Sequence, residues 1–175
     1  SGKTRILPVR GSDADGDAIS YTVSSDRADV SATVLTGGPF LKLSVAGKGD
    51  MVFRLLPEYA PKTVARITAL VNQGFYDGLT FHRVVDNFVI QGGDPAGNGT
   101  GGTGTKFDDE FNTDLQFTST GMLAMAKSTD DTNDSQIFVT AGPTRFLDMQ
   151  HSIFGILTQG NDVRQAIQTS RTSGD

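Results

Sequence analysis

The chain contains no cysteine, and only two histidines occur among its 175 residues. Without a thiol there is no disulfide, no thiolate nucleophile and no Cys-ligated zinc. With His82 and His151 as the only imidazoles and no third ligand near either in sequence, a zinc centre is rejected as well. Basic residues are outnumbered, 15 Lys and Arg against 20 Asp and Glu, for a formal net charge of -5 and a pI near 4.9. That balance, with no Lys/Arg cluster, excludes a nucleic-acid partner, because phosphate recognition needs a concentrated positive patch. No apolar run approaches the roughly 20 residues that span a bilayer, so membrane insertion is not expected, and no charged-then-apolar opening reads as a signal peptide. Nucleotide chemistry finds no support. There is no Gly-Lys-Ser/Thr, and Gly97-x-Gly99-x-x-Gly102 is followed by no amphipathic helix whose N-terminus would take phosphate. No serine lies in a nucleophile-elbow pattern either.

The length suits one domain with a sizeable core, or one domain plus an appendage. Residues 1–36 read as such an appendage, a β-rich extension in which Ile19, Tyr21 and Val23 alternate, as do Val30, Ala32 and Val34. Asp13-Ala14-Asp15-Gly16-Asp17 precedes the first of these runs, and the phrase is similar to segments of cadherin-like and immunoglobulin-like repeats in large bacterial surface proteins. Three carboxylates at alternate positions suit either a solvated Asp/Gly turn or a calcium site. An EF-hand is excluded, since its twelfth loop position, counted from Asp13, is Ser24 rather than a bidentate glutamate.

Residues 37–175 form the second unit. Leu41, Leu43 and Val45 alternate with polar residues, Gly47-Lys48-Gly49-Asp50 supplies a turn, and Met51, Phe53 and Leu55 resume the alternation, so two antiparallel strands are predicted. The period then changes. Pro61 stands at a first helical position, Val64, Ile67 and Val71 recur at helical spacing, and Gly74 supplies the stop. From Phe81 to Asp94 two short apolar runs flank an Asp86-Asn87 turn, with Phe81, Arg83 and Val85 expected on one strand face and His82 and Val84 on the other. Gly121–Ala126, Gln136–Thr140 and Ile153–Leu157 read as buried strands. A second helix follows, with Asn161 as N-cap and Val163, Ala166 and Ile167 facing inward. Strands closing on one another with two capping helices predict a mainly β protein, a closed antiparallel β-barrel.

Phe81-His82-Arg83-Val84 followed by Phe88-Val89-Ile90-Gln91-Gly92-Gly93-Asp94 resembles the signature of the cyclophilins, a family of peptidyl-prolyl cis-trans isomerases. Further blocks follow in the family's order: Asn98-Gly99-Thr100-Gly101-Gly102, Lys106-Phe107-Asp108-Asp109-Glu110, Gly121 to Ala126, Ser135-Gln136-Ile137-Phe138, and Phe146-Leu147-Asp148 with His151. The resemblance covers roughly residues 40–170. It implies a cyclophilin-like barrel that acts without a cofactor, as a monomer, on proline-containing peptides or unfolded proteins. By the same resemblance Arg83, Gln91 and Phe88 are the catalytic group; Phe88, Val89, Phe138 and Leu147 line an apolar proline pocket. Ala126, Lys127 and Gln136 form the edge along which the substrate backbone lies, while Phe146 and His151 close the rim. Read without the resemblance, the apolar members of this set are core candidates, Gln91 caps its own turn, and Arg83 is a strand residue with its head in water. His82 is expected to be hydrogen-bonded beneath the site.

The sequence departs from the family in five places. Phe146 stands where a tryptophan is frequent and lacks the indole N–H, which implies weakened affinity for cyclosporin. Val89 replaces a commoner methionine, Lys127 a typical asparagine, and the loop between Gly102 and Lys106 is short. The family normally adds a strand after the second helix to close the barrel. Here the sequence ends at Thr172-Ser173-Gly174-Asp175, so a strand from residues 1–36 is expected to cover that edge, unless the native protein continues past this fragment. Lys127 and the short loop motivate the rival reading, a proline-peptide binding or adhesion module with little turnover. The absence of cysteine fits an exported protein as well as a cytosolic one, and the repeat-like opening suggests an exported, periplasmic or cell-surface protein of a bacterium.

Overall fold

A computed structural model describes residues 37–170 of the protein. Alternation in the first strands produces the expected hairpin. Strand β1 (Phe40–Val45) pairs with β2 (Gly49–Leu55), and Val45 faces Gly49 across a turn in which Gly47 and Gly49 both take positive φ. Leu41, Met51, Phe53 and Leu55 point from this hairpin into the core. Helix α1 (Pro61–Asn72) follows, started by Pro61 and buried along Thr63, Val64, Ile67 and Leu70. Val71, expected inside, is exposed; Leu70 occupies the inward position that the helical period returns to.

Five further strands complete the sheet: β3 (Arg83–Val85), β4 (Val89–Gly92), β5 (Met122–Met125), β6 (Ile137–Thr140) and β7 (Ile153–Gln159), with helix α2 (Asn161–Gln168) at the end. The order is β1-β2-β7-β5-β6-β4-β3, antiparallel throughout. Register shifts between Val52 and Phe53 and between Leu123 and Ala124 mark where the ladder is interrupted, the irregularity that bends strands. The sheet is a curled half-barrel, and this corrects the expectation of a closed barrel. Closure needs the two end strands to be joined, and among the described residues no strand bridges β1 to β3. The predicted extension over residues 1–36, with Asp13, Asp15 and Asp17, lies outside the described residues.

The central strands are covered on both faces. Ile90, Leu123, Met125, Ile137, Val139, Phe154 and Leu157 join the core formed with α1 and α2. Their alternate neighbours, among them Val89, Met122, Ala124, Phe138, Ile153 and Ile156, pack into a second cluster with Leu56, Leu115, Phe117 and Leu147. Two-sided burial explains why these segments read as continuous apolar runs rather than alternating ones. The second cluster is the floor of the site described below.

Two local expectations fail for backbone reasons. Phe81 packs against the helix-side core together with Val84, not on the face of Arg83, because regular pleating begins only at Arg83. The N-cap of α2 is Gly160, at φ 82°, and not Asn161, whose side-chain oxygen instead accepts a hydrogen bond from Arg164 Nε. A Cβ on Gly160 would lie 2.1 Å from the Asp50 carbonyl oxygen, so the helix start is set by close backbone approach.

This contrast is testable. Gly47 also has positive φ, at 71°, but meets nothing within 4 Å. Gly47→Ala is expected to cost about 1–2 kcal/mol, the left-handed penalty alone. Gly160→Ala carries the same penalty plus a backbone clash, so its urea midpoint falls further; equal midpoints would contradict the packing described.

Candidate active site

The β3–β4 hairpin sets the first part of the site. Asn87 turns at φ 56°, a conformation asparagine tolerates, and Phe88 N–H donates to the Val85 carbonyl at 3.1 Å. The resulting register puts Arg83 opposite Gln91. An Arg83 guanidinium N–H donates to Gln91 Oε1 at 3.1 Å, and the same guanidinium stands 6.0 Å from the centroid of the Phe88 ring. Gln91 Nε2 in turn donates to Gln136 Oε1 at 2.9 Å, and Gln136 Nε2 donates to the carbonyls of Gly99 at 3.0 Å and Gly101 at 2.9 Å. A planar charged group is thereby fixed by a row of amides that ends on a glycine-rich loop.

That loop is wound around two carboxylates of its own protein. Asp94, 1% exposed, accepts from the backbone N–H groups of Ala96, Asn98 and Gly99. Burial alone would push its carboxyl up, but the N–H donors of Ala96, Gly99, Gly101 and Asn98 outweigh it and hold the group below the usual carboxylate range. Asp134 accepts from Thr103 N–H at 3.0 Å and Gly104 N–H at 2.9 Å, as well as from the Thr103 hydroxyl. Gly101 and Gly102 are required here, since a Cβ on either would fall 2.1 Å from Asp94 or 2.4 Å from Asp134. The Gly97-x-Gly99-x-x-Gly102 pattern therefore serves internal anions rather than a nucleotide.

The cleft beside this row has a volume of about 240 Å³. Of the residues to which the family resemblance assigns a role, Arg83, Phe88, Val89, Gln91, Ala126, Lys127, Phe138, Leu147 and His151 line it. Two expected members stand apart from the lining. Gln136 lies behind Gln91 in the amide row. Phe146, on the 3-10 turn Arg145–Leu147, is 66% exposed and stacks on Phe88 with ring centroids 5.6 Å apart. That turn is clamped by Asp148, whose carboxylate accepts the Phe117 N–H at 2.7 Å and an Arg145 N–H.

Phe138 forms the middle of the apolar floor, stacked on Phe117 below and met edge-on by the His151 ring at 5.3 Å. His151 Nδ1 is 3.0 Å from the Met125 carbonyl, which can only accept, so Nδ1 carries the proton. Burial lowers the His151 pKa and Lys127 adds to the effect, while the Met125 carbonyl and Asp109 oppose it. The ring is neutral at pH 7.

Lys127 lines the cleft, but its ammonium is engaged elsewhere. It is held by Asp109 and, at 2.9 Å, by Asp130, and lies 5.0 Å from the Phe111 ring centroid. Burial would lower its pKa, yet the hydrogen bonds it donates to these carboxylates prevail and raise it. Neither Asp109 nor Phe111 was singled out in the sequence, where nothing in the Lys106–Glu110 block signals a partner 18 positions on. His82 differs from expectation too: among the described residues neither ring nitrogen has a hydrogen-bond partner, and both are buried. The described residues contain no group of three or more His, Cys, Asp or Glu side chains suited to a metal ion.

The family model described as cyclophilin type peptidyl-prolyl cis-trans isomerase/CLD matches residues 40–175. The chain belongs to the cyclophilin-type peptidyl-prolyl isomerases. It is 47% identical over 127 residues to peptidyl-prolyl cis-trans isomerase ppi1 of Schizosaccharomyces pombe, covering 71% of this chain and 82% of the relative. Identity is 44% over 143 residues with peptidyl-prolyl cis-trans isomerase B of Streptomyces anulatus, over 72% and 82% of the two chains. Human peptidyl-prolyl cis-trans isomerase-like 1 is 49% identical over 115 residues, 64% of this chain and 69% of the relative. Among solved structures, a Cryptosporidium parvum cyclophilin crystallised in the presence of the dipeptide Ala-Pro superposes with a TM-score of 0.69 at 35% identity, covering 71% of this chain and 82% of that one. This cyclophilin is accordingly a peptidyl-prolyl cis-trans isomerase.

The lowered His151 pKa has a sign that can be checked. A buried neutral ring contributes stability that is full above about pH 6.5, the unfolded value, and is lost as pH falls through the lowered folded-state pKa. An NMR titration is expected to place the His151 midpoint below about 6.5, whereas a midpoint at or above that value would mean that burial does not control the ring.

Proposed function

We propose that the cleft binds the proline ring of an X-Pro peptide on Val89, Phe138 and Leu147, and that Arg83 drives rotation of the preceding bond. Support comes from one arrangement above all: a guanidinium held in place by Gln91 at the mouth of an apolar cleft. Amide resonance opposes rotation with a barrier of about 18–20 kcal/mol. As the bond twists, conjugation is lost and the prolyl nitrogen becomes pyramidal and regains its lone pair. A donor aimed at that nitrogen interacts more strongly with the twisted state than with the planar one, which is what lowers a barrier rather than merely tightening binding. No nucleophile or cofactor enters the reaction.

The remaining residues act on position and solvation. Gln91 orients Arg83 and the substrate carbonyl, and Gln136 keeps Gln91 from rotating away. Phe88 covers the guanidinium, Ala126 and Lys127 border the path of the peptide backbone, and His151 presents a neutral wall that costs little to desolvate. Excluding water removes the hydrogen bonds that stabilise the planar amide. Phe146, exposed and without an N–H, gives an apolar rim but no donor, which supports weakened rather than tight cyclosporin binding. The substrates under this reading are proline-containing peptides and unfolded proteins, whose folding the enzyme assists.

Peptide exchange by NMR tests the assignment. Removal of one preorganised donor costs about 10²–10³ in rate, so Arg83→Ala is expected to bind a proline peptide and lose most of its acceleration. Arg83→Lys should recover only part, since a lysine lacks the planar fork that Gln91 holds. Peptide binding by the wild type without acceleration would overturn the reading, as would full activity in Arg83→Ala.

A further inference from the structure

Beside the proline cleft lies a second, more polar cleft of about 390 Å³ that shares Lys127 and His151 with it. Its walls are Phe111 and Met149, both large apolar side chains left partly open to solvent, at 38% and 47% exposure. Met149 holds its wall at φ 57°, a left-handed conformation uncommon for a bulky residue. Asp131, next to the opposite wall, is at φ 55°. Strained backbone of this kind persists only where surrounding contacts enforce it, and it concentrates at binding surfaces.

The charge of the second cleft is not balanced. One ammonium, that of Lys127, faces two carboxylates. Asp109 is buried with its lysine, at 6% side-chain exposure, and is fully occupied: Asp131 N–H donates to it at 3.0 Å and Asn133 Nδ2 at 2.8 Å. The surplus negative charge therefore sits on Asp130, whose side chain is 90% exposed and gives only Oδ1 to Lys127. Among the described residues its other oxygen accepts no hydrogen bond.

We propose that this cleft is a specificity subsite for a basic side chain of the same peptide, arginine above lysine. The inference rests on the first cleft being the X-Pro site. A long cationic side chain would lay its methylene stem along Met149 and Phe111 and bring its head to the free oxygen of Asp130. The clefts share two lining residues and an extended chain advances about 3.3–3.6 Å per residue. The residue concerned thus lies within a few positions of the proline, on one side of it.

A peptide series with an Ala-Pro core tests this on the full chain, with arginine, norleucine or glutamate placed at each of several positions either side of the proline. Exposed ion pairs contribute modestly, so kcat/KM for arginine should exceed that for glutamate about two- to fivefold. The preference should appear at one or two positions and shrink at high ionic strength. Asp130→Asn should bring the arginine-to-glutamate ratio near one, and Asp130→Lys should invert it. If arginine helps equally at every position, the protein's overall negative charge is responsible and the subsite is overturned. Equal turnover of all peptides overturns the subsite but leaves the isomerase site standing, whereas no acceleration of any peptide removes both. The salt and position dependence are read on the wild type, so the test does not rely on either variant folding.

Discussion

A buried carboxylate with backbone N–H partners is the anchor of this site. Asp94 gives up its hydration to organise Ala96, Asn98 and Gly99. A buried charge of this sort persists only if its lone pairs are satisfied. Because they are, the loop carbonyls of Gly99 and Gly101 stand where Gln136 can reach both, and the amide row to Gln91 and Arg83 has a fixed far end. Without that end, three flexible side chains would each pay rotamer entropy to assemble. The ordering is shared with the fold instead.

The sheet supplies the second constraint. Its central strands give one face to the helices and the other to the cluster beneath the cleft, so the floor of the cleft and the main core are two sides of the same strands. Val89 and Ile90 are neighbours in sequence and belong to different clusters. Such coupling makes the floor rigid. It also explains why the floor residues carry no sequence signal that separates them from ordinary core.

Much of the fold was legible before any coordinates. Alternation located the β1–β2 hairpin, proline and glycine bounded α1, and ordered blocks of family resemblance located nine lining residues. What escaped were interactions decided by approach in space. The cap of α2 depends on the Asp50 backbone, the orientation of Phe81 on where pleating begins, and the engagement of Lys127 on carboxylates that fold back against it. The closed barrel was an inference from strand count and family. Closure is a property of which edges meet, and β1 and β3 do not.

Among the described residues, Arg83 therefore belongs to the outermost strand of an open sheet. Unpaired strand edges invite another chain to add on, in register, by backbone bonding. Here the end of that strand is occupied from another direction: Gln168, at the close of α2, donates its side-chain amide to the Val85 carbonyl at 2.6 Å. That carbonyl already accepts the Phe88 N–H within the β3–β4 turn, so the amide adds a second tie at the hairpin's tip and leaves the outer edge of β3 as it is. The helix that caps the core thus also acts as a mooring line for the hairpin that carries Arg83.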